Sequence, residues 1–139
     1  MYKIGYTTGV YDMFHIGHLN ILKRAKEQCE FLLVGVTTDE LCFSRKNKYP
    51  IINENERMEI VEYIRYVDKV IPQNNMDKFE VVKQYNVDVV FVGSDWKGTP
   101  SWTEYEKEFA KLGCKVVYLE HTDGISSTIL RERMKNEYL

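Results

Sequence analysis

The stretch Gly9-Val10-Tyr11-Asp12-Met13-Phe14-His15-Ile16-Gly17-His18 sets two of the chain's three histidines three residues apart, just after an apolar run. At that spacing two imidazoles share one face of a helical first turn. They can aim hydrogen bonds and partial positive charge at an anion, helped by the free N–H groups of the helix start. Gly17 between them omits a side chain where a phosphate would approach the backbone. Phosphate binding is one chemistry this pattern supports. A second is metal binding, with Asp12 joining the His-x-x-His pair as a third ligand, although no further Cys or His lies nearby in sequence. A third reading is structural: two polar residues at a helix start, with a glycine easing the turn. Spacing alone leaves all three open.

The elements that must position these residues are legible from hydrophobic patterning. Short, nearly continuous apolar runs recur: KIGYTTG, FLLVGVTT, VDKVIP, VDVVFVG and CKVVYLE. Such runs fit parallel strands buried on both faces. Helical spacing fills the intervals: Ile21, Leu22, Ala25 and Cys29 in the first, then NENERMEIVEYIR, with Asn53 and Glu56 placed as in a capping box. MDKFEVVKQYN and WTEYEKEFAKLG follow, the latter stopping at Gly113, and STILRERMKNEYL reads as a last helix. Strands alternating with helices predict an open, parallel, five-stranded α/β sheet within a single domain over residues 1–139. Residues 42–53, CFSRKNKYPIIN, read as the main loop. In such sheets ligands gather beyond the carboxyl ends of the strands, where the histidine stretch would lie.

Composition narrows the function classes. Hydrophobic residues make up 44% and charged residues 29% of the 139, an ordinary globular balance. A formal charge of −2 lacks the basic excess of a nucleic-acid binder. No apolar run approaches the roughly 18 residues that span a bilayer, and the start MYKIGYTTG has no extended apolar core of a signal peptide. Cys29, Cys42 and Cys114 are odd in number and have no CxxC spacing, so the expectation is reduced thiols and a cytoplasmic setting. The dinucleotide fingerprint GxGxxG and the P-loop GxxxxGK[ST] are both absent.

GVYDMFHIGH resembles the HxGH signature of the nucleotidyltransferase superfamily, and HTDGISST resembles the second signature, RTEGISTT, of glycerol-3-phosphate cytidylyltransferases. TTDE, RYVDKVIP and GSDWKG also match that family in order and at similar spacing, so the resemblance covers nearly the whole chain. It implies a Rossmann-like fold of the HxGH nucleotidyltransferase type. It also implies transfer of CMP from CTP to a small phosphorylated alcohol, most simply glycerol 3-phosphate, with release of pyrophosphate. A phosphate nucleophile is already anionic at neutral pH and needs no general base, in keeping with the lack of a Ser-His-Asp or Cys-His arrangement.

By the same resemblance His15 and His18 bind the triphosphate and stabilise the transition state, together with Lys46 as a catalytic and substrate-binding lysine. Val10 and Tyr11 lie against the nucleotide, and Lys48 assists at the phosphates. Asp95 meets the cytosine amino group or the ribose, and Trp96 walls the base. The second signature contributes His121, Thr122, Gly124, Ser126, Ser127 and Thr128, whose helix start has free amides for the β- and γ-phosphates. Arg57 and Lys78 match substrate-binding positions, with Arg65 on a related helix face. Magnesium is implied through the triphosphate, with no protein metal ligand, and a homodimer through RYVDKV is implied as well.

Four positions depart from the family pattern: His121 replaces an arginine, Val10 a threonine, Met76 a tryptophan, and Lys78 only approximates the substrate lysine. Two alternatives follow. One keeps the chemistry with another pair: ATP as donor, or phosphocholine, phosphoethanolamine or another polyol phosphate as acceptor. The other is a nucleotide-binding module without turnover.

Overall fold

The computed structural model describes residues 1–137. Five strands, β1 (Tyr2–Gly9), β2 (Cys29–Thr37), β3 (Lys69–Gln73), β4 (Val89–Gly93) and β5 (Lys115–Leu119), form one parallel sheet in the order β3-β2-β1-β4-β5. The α-helices are α1 (Ile16–Lys26), α2 (Asp39–Lys46), α3 (Glu54–Glu62), α4 (Lys78–Tyr85), α5 (Pro100–Lys111) and α6 (Ser127–Glu137), and a 3-10 turn spans Ser94–Trp96. The predicted five-stranded parallel α/β sheet is the architecture found.

The apolar strand runs are continuous because both sheet faces are covered. Leu32, Val34, Val36, Val89 and Phe91 pack with Leu22 and Ala25 of α1 and Val61 of α3. Their alternates Tyr6, Leu33 and Val90 pack on the other face with Val82 of α4 and with Trp102 and Phe109 of α5. The split follows from connection handedness. The chain runs outward from β1 to β3, then crosses back to β4 and β5, and right-handed crossovers in opposite directions leave their helices on opposite faces. The reversal falls between β1 and β4, where a crevice opens at the carboxyl ends of the strands. The starts of α1, on one face, and of α4 and α5, on the other, therefore look into one crevice.

Local signals explain several boundaries. The Asn53 side chain accepts from the Glu56 amide at 3.0 Å and starts α3 as expected. Three expectations need correction. Residues 42–46 are helical, because the Thr38 side chain accepts from Leu41 N and starts α2 at Asp39, which then runs on into the stretch read as loop. Cys29 opens β2 instead of extending α1. Helix α3 stops at Glu62, so Arg65 lies beyond it and shares no helix face with Arg57.

Candidate active site

A cavity of about 630 Å³ occupies the crevice. On its α1 side the two histidines start the helix. His15 is the N-cap, extended at φ −138° and ψ 179°, and its Nδ1 accepts from Gly17 N at 3.0 Å. His18 Nδ1 in turn accepts from His15 N at 3.2 Å. The pair forms a reciprocal capping box built from imidazoles, with rings stacked at 3.8 Å between centroids. Because each Nδ1 is an acceptor, each neutral ring carries its proton on Nε2. Burial lowers the pKa of both. His18 is pushed down to about 4 by burial and by the neighbouring His15, against the opposing pull of Asp12. His15 Nε2 is buried without a protein partner, a donor left for something in the cavity.

Gly17 lines the cavity. A Cβ there would lie 2.9 Å from the His15 ring and 3.3 Å from Ile125 Cγ2, so the glycine also leaves room for the capping imidazole and the loop entering α6.

The loop carrying the histidines is held from below. Tyr11 and Met13 have φ of 55° and 49°, a left-handed conformation that non-glycine residues keep only when their surroundings impose it. Asp12 is buried; its carboxylate accepts from Ile51 N at 2.9 Å and Ile52 N at 3.0 Å and pairs with Arg131 at 3.0 Å. Burial works to raise the Asp12 pKa, but these amides and Arg131 outweigh it and hold the carboxyl below its ordinary value. The Asp12 carbonyl accepts from Ser127 Oγ at 2.7 Å. Asp12 is thus committed to protein donors and is not the free third metal ligand considered from sequence. No group of three His, Cys, Asp or Glu residues suited to a metal occurs among the described residues.

Arg57 also changes role. Its guanidinium is fully buried and donates to the carbonyls of Ile52, Val10 and Thr37 at 2.7–2.8 Å and to Asp39 Oδ1 at 2.6 Å. It does not line the cavity, so the expected substrate contact is replaced by a strut beneath the ends of β1 and β2.

Cations furnish the other parts of the cavity. Lys46, Lys48 and Arg45 reach it from the end of α2 and the loop beyond. Lys78 opens α4 with its Nζ 5.7 Å from the Trp102 ring centroid, and burial, aided by Arg45, lowers its pKa to about 8. Val10, Tyr11, Trp96, His121, Thr122, Ser126, Ser127 and Thr128 line the same space, as expected from sequence. Thr122 Oγ1 accepts from Asn20 Nδ2 at 2.8 Å, tying the second signature to α1. Ser126 Oγ accepts from Ile129 N, so one of the α6 amides expected to be free is capped.

Asp95 and Gly124 stand apart from the lining. Asp95 is 78% exposed and sits 2.9 Å from His121 Nε2, a ring that does line the cavity. Gly93 admits the ring, since a Cβ there would come within 3.0 Å of it. Gly124 turns the loop at φ 78° without facing the cavity. Sequence reasoning missed Arg131, Arg45, Trp102 and Tyr105, all cavity-lining. Arg131 lies four residues after Ser127 on α6, a spacing that would have flagged a shared face. Trp102 and Tyr105 carried only the signal of an amphipathic helix.

Residues 6–133 match the family described as Cytidylyltransferase-like. The chain belongs to that family. It is 38% identical over 129 residues to the glycerol-3-phosphate cytidylyltransferase of Bacillus subtilis (strain 168), covering 92% of this chain and 94% of that one. It is also 34% identical to an FAD synthase of Thermococcus sibiricus, over 83% of this chain and 78% of the relative. In three dimensions it is similar to a lipopolysaccharide core biosynthesis protein from Thermoplasma volcanium. The TM-score is 0.72 at 28% identity, covering 86% of this chain and 96% of that one. The protein is a nucleotidyltransferase with cytidylyltransferase relatives over most of its length. What its cavity offers such chemistry is a pair of preset imidazole donors facing a cation-rich space.

Proposed function

We propose that the enzyme transfers CMP from CTP to a small phosphorylated alcohol, glycerol 3-phosphate or a similar polyol phosphate, and releases pyrophosphate. An acceptor phosphate oxygen attacks the α-phosphorus, and the bond from that phosphorus to the bridging oxygen of pyrophosphate breaks. No proton has to move. The residues' work is to align two anions and to offset charge growing on the α-phosphate and the leaving group. The observation that carries this reading is the pair of Nε2–H donors fixed by the capping box, with His15 Nε2 buried and unpartnered. Donors set before the ligand arrives need no reorganisation as charge develops. Lys46 and Lys48 are suited to the phosphates of donor and acceptor, and the first-turn amides of Ser127 and Thr128 to the leaving pyrophosphate. Magnesium, riding on the triphosphate oxygens, would neutralise further charge there.

A second reading keeps the chemistry and changes the acceptor. It is favoured by similarity to the ethanolamine-phosphate cytidylyltransferase of Mus musculus, 33% identical over 91% of this chain, although the match spans 31% of that protein. Pyrophosphate release decides between them, with CTP, ATP, GTP and UTP each run against glycerol 3-phosphate, ribitol phosphate, phosphocholine and phosphoethanolamine. CTP with a polyol phosphate should dominate. Equal rates with ATP, or a clear preference for phosphoethanolamine, would overturn the first reading, and no turnover with tight CTP binding would leave a binding module.

The proposal extends to a homodimer through residues 65–70, beside the edge strand β3 and the 80% exposed Tyr63. Sedimentation at micromolar concentration should give twice the 16.5 kDa chain mass, and a monomer would refute it. The three buried, free cysteines suit a reducing, cytoplasmic setting.

A further inference from the structure

We propose a second small-molecule site, across the first turn of α4 from the catalytic cavity, that takes a small molecule carrying an ammonium group. A separate cavity of about 280 Å³ is walled by β3, the loop after it and α4. Tyr6, Ile71, Asp77, Glu80, Val81 and Tyr85 line it, and none of these borders the catalytic cavity. Its volume lies just below the roughly 300–1,000 Å³ of pockets for drug-sized ligands. A molecule of a few heavy atoms fits, and a nucleotide does not.

This cavity holds a polar atom that the fold leaves unused. Tyr6 is 1% exposed, and its hydroxyl has no hydrogen-bond partner among the described residues. Buried polar groups are nearly always partnered, and a phenylalanine would fill the same room without one. The strand beside it makes space for that oxygen. A Cβ on Gly35 of β2 would come within 2.6 Å of the Tyr6 hydroxyl. Glycine inside a strand weakens it and marks a close approach. Gly35 pairs with Ile71 of β3, so the phenol reaches across β2 to the wall of the cavity. Burial, with Tyr85 close by, pushes the Tyr6 pKa up and keeps the group a neutral hydroxyl.

The charge of the lining selects the ligand. Lys78 borders both cavities, but its ammonium lies 5.7 Å from the ring centre of Trp102, which belongs to the catalytic one. Asp77 and Glu80 remain, and neither is in an ion pair among the described residues. Asp77 commits one carboxylate oxygen to Phe79 N as the cap of α4 and keeps the other. Two unpaired carboxylates beside two phenols offer an ammonium counter-charge, acceptor oxygens and aromatic faces. The catalytic cavity has the opposite sign, with Arg45, Lys46, Lys48 and Lys78 along it. Phosphates are therefore drawn to one side of α4 and amines to the other.

The test is an amide-resolved NMR titration of the full chain with ethanolamine and, separately, with glycerol. Ethanolamine should shift the amides of residues 71–77 and 80–85 to saturation, and glycerol should bind at least tenfold more weakly. Glu80→Gln should weaken ethanolamine about tenfold, as for loss of a charged partner, and leave CTP affinity unchanged. Asp77→Asn keeps the helix cap and supplies a second charge-removing variant if the first does not fold. Tyr6→Phe should weaken ethanolamine severalfold without lowering the Tm, because the hydroxyl bonds to no protein group. The proposal is overturned if ethanolamine does not bind, if glycerol binds as well, or if the charge-removing variants leave the affinity unchanged. It is equally overturned if CTP displaces ethanolamine and the shifts gather around His15, or if Tyr6→Phe lowers the Tm by several degrees. None of these outcomes depends on CMP transfer.

Discussion

On the α1 side of the cavity, His15, His18, Asp12 and Ser127 each commit a polar atom to the backbone. On the α4–α5 side, Lys78 and Trp102 are placed by packing and by their contact with each other. The first arrangement sets the direction of its donors before any ligand is present, which is what stabilisation of a transition state requires. The second offers an ammonium group at the end of a long stem, held by packing, which imposes a sign of charge without a directed hydrogen bond. In the proposed reaction the transfer step would rest on the α1 side, and contacts with the acceptor on the other.

The largest effect should come from beneath the rigid side. Arg57→Ala leaves three carbonyls and the Asp39 carboxylate without their buried partner. It should cost about 3–5 kcal/mol of stability, read from urea unfolding. A normal unfolding curve with a raised acceptor KM would move Arg57 into the cavity after all.

Next, the two sides should separate kinetically. His15→Ala is expected to lower kcat by about 10²–10³-fold with little change in CTP affinity, as for loss of one preorganised donor. Lys46→Ala should instead raise KM by about tenfold, the worth of one hydrogen bond to a charged group. Matching losses in kcat and KM for both variants would erase the distinction.

Protonation sharpens the comparison. The Lys78 charge is lost as pH rises through about 8, so acceptor KM should climb above that pH, and Lys78→Arg should abolish the climb. A climb that persists in the arginine variant would assign it to another group. His18, held down at about 4, stays a neutral donor from pH 7 to 6, so its own contribution to CTP binding should not change over that interval. Stability behaves differently. The folded-state value of His18, about 4, lies below its ordinary 6.5. The unfolded chain takes up that proton first, and stability declines as pH falls from about 6.5 toward 4. His18→Asn should make the Tm less sensitive across that window by a few degrees, and an unchanged pH slope would contradict the buried, neutral ring.

The smallest effect is expected at the rim. His121→Arg should tighten CTP severalfold without changing kcat, since the guanidinium keeps the Asp95 pairing and adds a permanent charge. A fall in kcat would show that the ring seated over Gly93 has a part in turnover.

Much of this protein is written in short stretches. Doubly buried parallel strands show as continuous apolar runs, and Asn53 with Glu56 starts a helix through contacts three residues apart. The histidine pair caps α1 through bonds spanning two and three residues, so its place at a strand-to-helix mouth was readable from spacing. Tertiary structure decided whatever depends on residues far apart. Arg57 looked like a phosphate ligand until its guanidinium was found bridging the ends of β1 and β2 across 47 and 20 residues. At Gly17 only the fold sets Ile125, from far along the chain, beside the place a Cβ would take. Trp102 shows in sequence only as part of an amphipathic helix, and only the reversal of connections between β1 and β4 turns the starts of α4 and α5 toward the histidines. Local hydrogen bonds and periodicity lie within a few residues of sequence, whereas a cavity between crossovers is defined by the handedness and direction in which the chain returns to its sheet.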